Sequence, residues 1–337
     1  MNTILFCDLA RANKPLQQDI ERAISSCIDL SSFLRGSQTN AFEDEWADYC
    51  GQSYAVCCNS GTDALALAAS ALSLARVTVQ ANTLPLTAIG LHLGGASVHV
   101  GEVSESGKIM SAGPDHVPVL MFGRLPDPID PVYDLYDAAH AHGWKPPVSS
   151  VAAWSFYPTK TLGAFGDAGA ITTNDRELAK VIKDLCGRDD QLRNRRQITS
   201  RIDEIQAAVL RVKLRYLDEW LLQRAEIGQY YDQRLKRYGI TLDGVSLHHL
   251  YAIRVEHRDE LMAFMKSQGV ETKIHWAQPL SKIEGPWHAS GDYQNAEAWS
   301  KSILSLPCYP GLTRAELNRI CTLVEEFVNS TSLQKHH

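Results

Sequence analysis

The chain lacks a surplus of positive charge. Its 33 Lys and Arg against 39 Asp and Glu leave a formal net charge of −6, with a pI near 6.1. A nucleic-acid-binding protein usually shows a basic domain or stripe, and neither is present. The densest positive run, residues 188–201, is broken by acids and amides and reads as a solvated face, although an arginine there could meet a substrate phosphate. Nowhere do about 18 apolar residues follow one another, as a membrane span requires. The start, Met1-Asn-Thr-Ile-Leu-Phe-Cys-Asp8, has no basic residue and no long apolar run. A cytoplasmic location is expected, with neither membrane nor nucleic acid as partner. The 8 cysteines have no paired spacing, and Cys57 and Cys58 are adjacent in an expected buried strand, so they read as reduced core thiols and not as a disulfide frame. There is no repeat and no low-complexity linker.

What the sequence does contain is concentrated in Ser155-Phe-Tyr-Pro-Thr-Lys160, followed by Thr161-Leu-Gly-Ala-Phe-Gly-Asp-Ala-Gly-Ala170. This places a lysine in a tight turn just past an apolar strand, with glycines crowded behind it. An amine held at the carboxyl end of a strand can form an imine with an aldehyde, as the lysine of a pyridoxal phosphate enzyme does. That chemistry needs three further groups, and each has a candidate. Asn59-Ser60-Gly61-Thr62-Asp63-Ala64 turns the strand Tyr54–Cys58 into a helix, whose first N–H groups and dipole can hold a phosphate. Asp137, directly after the strand-like Pro131–Tyr136, can keep a pyridine nitrogen protonated, and His140 is the natural neighbour for the ring's phenolic oxygen. All of these fall at predicted strand ends, where open α/β sheets bind ligands.

Taken singly, these features have plainer readings: a solvated loop lysine, an N-capped helix start and a turn-forming aspartate. In the chain order phosphate turn, acid, lysine, they point together to pyridoxal 5'-phosphate. Asp137, His140 and His142 could also be read as a metal trio, but no suitable fourth ligand is near in sequence, so no metal is expected.

The three segments, with Ser200-Arg-Ile-Asp-Glu-Ile-Gln-Ala-Ala-Val-Leu210 and Ser305-Leu-Pro-Cys-Tyr-Pro310, resemble the nucleotide-sugar aminotransferases of the DegT/StrS family, a branch of fold-type I pyridoxal phosphate enzymes. The resemblance runs from about Asp8 to Val328 and is nearest to the branch acting on 3-keto sugars. It implies Lys160 as the Schiff-base lysine, Asp137 on the pyridine nitrogen and His140 beside the phenolic oxygen. It places Gly61, Thr62 and Ser155, with Ser60 in the same turn, on the phosphate. It also implies Thr199 reaching the cofactor phosphate of a neighbouring subunit in a homodimer, with His275, Trp276 and Arg201 facing substrate. The implied reaction moves an amino group from an amino acid, glutamate in that branch, to a keto group of a nucleotide-linked sugar in amino-sugar or polysaccharide biosynthesis.

Lys160 stands where the family's dehydratases carry histidine, which sets the lyase reading aside. A degenerate, non-catalytic paralogue is the alternative. It is motivated by Tyr136 in place of an acid, Leu84 in place of an aromatic that stacks on the ring, and Thr161 and Thr199 in place of asparagines.

Alternating strand and helix patterns predict an α/β fold with a mostly parallel, mixed central sheet. Strands are expected at Tyr54–Cys58, Val77–Gln80, Ala96–Val100, Val117–Met121, Val132–Tyr136, Val151–Phe156 and Ala168–Thr172, and a long helix at Arg201–Arg224. A large domain is expected over residues 1–224. A smaller C-terminal α+β domain follows over 225–330, with a helix at Ala225–Tyr238 and a strand in Gly269–Trp276, and then a tail at 331–337. Arg124-Leu-Pro-Asp-Pro-Ile-Asp-Pro131 holds three prolines in eight residues, too short and too broken for a crossover helix. An extended link over a bare sheet face is expected there.

Overall fold

The computed structural model describes residues 3–110, 113–187 and 197–334. Helices α1 (Leu9–Asn13), α2 (Gln17–Asp29) and α3 (Ser37–Cys50) lead in. The sheet-forming region then runs β1 (Tyr54–Cys58), α4 (Gly61–Ala71), β2 (Arg76–Gln80), α5 (Pro85–Leu93), β3 (Ser97–Gly101), β4 (Leu135–Asp137), β5 (Val151–Ser155), β6 (Gly169–Thr173) and α6 (Arg176–Leu185). After it come α7 (Glu204–Leu214), α8 (Leu217–Leu235), β7 (Tyr251–Arg254), α9 (Arg258–Ser267), β8 (Trp287–His288), α10 (Gln294–Ser302), β9 (Ile303–Leu306) and α11 (Arg314–Gln334).

The sheet is one surface in two hydrogen-bonded parts, ordered β1-β6-β5-β4 and β2-β3-β8. The extended segment 116–120 joins them: Thr78 bridges His116 and Val119 bridges Asp137, both in parallel. Only β6 runs against its neighbours, β1 and β5, so the sheet is mixed and mostly parallel. Such strands are buried on both faces and read as continuous apolar runs, as in Ala55–Cys58 and Val151–Trp154. The local stops are chemical. Gly51 ends α3 at φ 68°, where glycine escapes the Cβ penalty, and the Asp175 carboxylate caps α6 by accepting from Glu177 N and Leu178 N.

Several expected elements differ. The helix expected over Arg201–Arg224 is broken at Arg215 and Tyr216 into α7 and α8, and the helix expected to begin at Ala225 is the continuation of α8. The boundary placed after Arg224 therefore falls inside a helix. The closing helix extends to Gln334, into the stretch expected to be a tail. Residues 270–276 make only isolated bridges, Ile4 to Val270 and Lys273 to Ser305. The strand expected at Val117–Met121 gives single bridges, and that at Val132–Tyr136 shortens to β4. The proline-rich link between them supplies few N–H donors and turns at Asp127–Asp130.

No helix forms at 124–131. The link is instead tied to the C-terminal region: Leu125 N donates to Val245 O, and Leu247 N to Gly123 O. Beside the link lies a cavity of about 310 Å³ lined by residues 118–122, Leu125, Pro126, Tyr133 and Tyr136. Positions 188–196 of the basic run lie outside the described residues.

Candidate active site

The sheet's strand ends converge on a cavity of about 340 Å³ whose wall includes Ser60, Gly61, Thr62, Asp137, His140, Ser155, Lys160, His275 and Trp276. One end is the start of α4. Ser60 adopts an extended conformation and its hydroxyl accepts from Asp63 N at 3.1 Å. That leaves the first backbone N–H groups of the helix, Gly61 and Thr62, facing the cavity as anion donors. The turn is packed so closely that side chains would not fit. A Cβ on Gly61 would lie 2.6 Å from Ser155 Cβ, and one on Gly169 would lie 2.4 Å from the Ser60 carbonyl. Glycines at 61 and 169 thus let α4, β5 and β6 meet at one point.

The Ser200–Glu204 stretch braces this end. Ser200 Oγ accepts from Asn59 N at 3.0 Å and donates to Asp63 Oδ2 at 2.6 Å. The buried Glu204 carboxylate accepts from the N–H groups of Gly36, Gln38 and Thr39 at the start of α3. Thr199 is exposed and Arg201 half-buried, and neither lines the cavity of its own chain.

Asp137 closes β4, buried. Its Oδ2 accepts from Thr87 Oγ1 at 2.7 Å and its Oδ1 from Ala139 N at 3.1 Å. Burial pushes the carboxyl pKa up, while Thr87, Ala139 and the Lys160 charge pull it back down. Lys160 sits in a turn closed by its own N–H to Tyr157 O at 2.8 Å. Burial lowers its amine to about 8, against the opposing pull of Asp137, so near neutral pH it can give up a proton as an ordinary lysine cannot.

The irregular segment after Lys160 is held from behind. Leu162 N donates to His142 Nδ1 at 2.9 Å, Phe165 N donates to Gln206 Oε1 at 2.8 Å, and the buried Lys213 ammonium donates to Gly163 O. His142 is held neutral, its pKa lowered to about 3 by burial. His140 Nδ1 accepts from Phe122 N at 3.2 Å. Burial and then the Lys160 charge drive its pKa well below the usual value. The ring is therefore neutral with its proton on Nε2, a donor available to a ligand.

The opposite wall was not legible in the sequence. It comes from Phe6 and Cys7 at the start of the chain, Arg224 on α8, and His249, Lys273 and Cys308. His249 stacks obliquely against His140 at 4.4 Å, and its Nδ1 lies 3.3 Å from Thr161 Oγ1. His275 Nδ1 pairs with Ser305 Oγ at 2.9 Å, whereas Trp276 Nε1 is buried with no partner. Leu84, which stands where the family's pattern has a stacking aromatic, lines the cavity. A glycine-walled helix start, a buried carboxylate, a neutral histidine donor and a buried amine of lowered pKa fit the phosphate, ring nitrogen, phenolic oxygen and aldehyde of pyridoxal phosphate. Bound there, that cofactor supplies an electron sink.

The sequence profile of the DegT/DnrJ/EryC1/StrS aminotransferase family matches residues 15–109 and 132–325 and skips the proline-rich link. The chain is 32% identical to dTDP-3-amino-3,4,6-trideoxy-alpha-D-glucose transaminase of Streptomyces venezuelae, over 96% of this chain and 95% of that one. It is also 32% identical to the erythromycin biosynthesis sensory transduction protein EryC1 of Saccharopolyspora erythraea, over 94% and 97%. The crystal structure of S. venezuelae DesV with a ketimine intermediate superposes with a TM-score of 0.88 at 30% identity, covering 97% of this chain and 99% of that one. The chain belongs to the DegT/DnrJ/EryC1/StrS family of pyridoxal phosphate-dependent aminotransferases.

Proposed function

We propose that this protein transfers an amino group from an amino acid, glutamate by preference, to the 3-keto group of a nucleotide-linked sugar, as a homodimer in the cytoplasm. The observation that carries the reading is the buried Lys160 amine, lowered to about 8, set opposite Asp137 in the cavity. The near full-length likeness to a 3-amino-sugar transaminase supports the sugar.

In this reading the Gly61 and Thr62 N–H groups, with the Ser60 and Ser155 hydroxyls, bind the cofactor phosphate. His140 Nε2–H donates to the phenolic oxygen. Asp137, its charge preserved by Thr87, holds a proton at the ring nitrogen. Lys160 Nζ takes a proton from the amino-bearing carbon of the donor and returns one to the carbon of the sugar. His275 and Trp276 face the sugar.

Thr199, exposed, and Arg201, half-buried, flank Ser200, which bonds the phosphate turn, and do not line their own chain's cavity; in a two-fold dimer they would serve the partner's. The non-catalytic alternative is supported by the departures at Leu84, Tyr136, Thr161 and Thr199 and by the likeness to proteins described as a sensory transducer and a pleiotropic regulator. The test is direct. Protein loaded with pyridoxal phosphate is given L-glutamate and a nucleotide-linked 3-keto sugar, and aminated sugar and 2-oxoglutarate are measured. Formation of both by the wild type, with none from Lys160→Ala, is expected. Tight cofactor binding with no transfer to any such sugar would establish the non-catalytic reading instead.

A further inference from the structure

The C-terminal wall of the cavity contains a cation with no anion. Arg224 is only 4% exposed. Its Nη1 donates to three carbonyls, those of His248 at 3.2 Å, His249 at 2.9 Å and Cys308 at 2.6 Å, and its Nε is buried without a partner. None of the three acceptors is charged. A guanidinium taken out of water without a counter-charge is costly, and its planar, fixed donors suit a carboxylate. Lys273, exposed at the same wall, lies over the Phe6 ring with its ammonium 5.3 Å from the ring centre. Both cations line the cavity together with Cys7, whose thiol burial pushes up while Arg224, Lys273 and Lys213 oppose it. Trp276 Nε1 adds a second unpartnered buried donor to the cavity wall. Among the described residues the acids lining the whole cavity are Asp137 and Asp167, neither of them on this wall's elements.

We propose that Arg224 and Lys273 form a carboxylate subsite that binds the distal carboxylate of a dicarboxylic amino donor and so sets donor specificity. This rests on the aminotransferase reading above. One feature favours a donor carboxylate over a nucleotide diphosphate. Arg224 is buried, held by the carbonyls of His248, His249 and Cys308 at the cavity wall, a setting for a small terminal group, whereas a nucleotide must extend towards solvent.

The holoenzyme is converted to its amino form by L-glutamate or by L-norvaline, an amino acid of equal chain length without the distal carboxylate, and the conversion is followed by absorbance with no sugar present. Displacement by glutarate and by butyrate is measured alongside, as is KM for the keto-sugar in full turnover. Arg224→Gln is expected to weaken glutamate and glutarate roughly tenfold or more, the scale of one charge-assisted pair, leaving norvaline, butyrate and the keto-sugar KM within about twofold. Lys273→Gln, at an exposed position, is expected to lower the glutamate-to-norvaline ratio severalfold, and Arg224→Lys to restore part of the loss. Equal losses for glutamate and norvaline would make Arg224 a clasp for the three carbonyls and overturn the proposal. A rise confined to the keto-sugar KM would assign the cations to the nucleotide and overturn it too. If Arg224→Gln does not fold, an unchanged ratio in Lys273→Gln is decisive against it. Because the donor half needs no sugar, glutamate selectivity without sugar amination would sink the sugar assignment and spare this one.

Discussion

At the scale of residues, the site depends on groups whose charge is set by burial and then adjusted by one neighbour. Lys160 shows this most simply. An amine with a pKa of about 8 is half unprotonated at pH 8, where an ordinary lysine near 10.4 is free in only about one molecule in 250. Capture of pyridoxal phosphate by the cofactor-free protein is therefore expected to rise with pH to a plateau beginning near pH 8–9. A rise continuing beyond pH 10 would show an unshifted amine. After borohydride reduction, peptide mapping is expected to find the pyridoxyl label on Lys160. Thr87 is the neighbour that matters to Asp137. Its hydroxyl favours the ionised carboxylate against burial, so Thr87→Val raises the Asp137 pKa further. A carboxylate needed in its charged form is then lost earlier on acidification, and the acidic limb of the pH–rate profile is expected to move to higher pH. A limb that stays in place would dissociate Asp137 from it. Lys160 and Asp137 could be read from the sequence because Asp137 ends a strand and Lys160 sits in the turn just past one, each inside a short motif. Thr87 could not, since nothing local in Thr83–Thr87 marks a threonine that meets an acid 50 residues away.

At the scale of elements, the shortened crossover explains a departure that looked unrelated to it. Tyr136 stands where the family's pattern has an acid, and its buried hydroxyl accepts from Tyr133 N at 3.1 Å and sits 3.4 Å from Pro131 O. The side chain thus fastens the end of the link that replaces a helix. An acid could accept from the N–H but could not also serve the carbonyl when ionised. Tyr136→Phe leaves the Tyr133 N–H without its partner and is expected to destabilise the fold by about 1–3 kcal/mol, with the affinity for pyridoxal phosphate unchanged. Denaturant unfolding and a cofactor titration together check this, and lost cofactor affinity at full stability would place Tyr136 in the site instead. The absence of the helix was legible, because three prolines in eight residues forbid it. The continuous helix through residue 224 was not: Arg224-Ala-Glu-Ile-Gly228 carries helical spacing without a stop, and the change of neighbours along α8 is a matter of packing, which spacing does not report.

At the scale of the whole molecule, the exposed position of Thr199 beside the bonded Ser200 is what the proposal of a site shared between two subunits rests on. Thr199→Asn is expected to tighten cofactor retention by roughly the 0.5–1.5 kcal/mol of one hydrogen bond, and sedimentation is expected to give a dimer. A fully active monomer would contradict the shared site, and a dimer with unchanged affinity would remove only the role of position 199. The cavity also depends on the two ends of the chain. Phe6 N donates to Glu271 and the Arg11 guanidinium pairs with Glu316, partners 265 and 305 positions later. A ribosome adds about 5–20 residues each second, so the segment carrying Phe6 and Cys7 emerges tens of seconds before the residues that anchor it exist. A nascent chain can already hold Lys160, Asp137 and the phosphate turn while one side of the cavity stands open to water. During that interval the lysine is as accessible to stray aldehydes as to its cofactor, and synthesis of the segment from Arg224 to Glu316 is what ends the exposure.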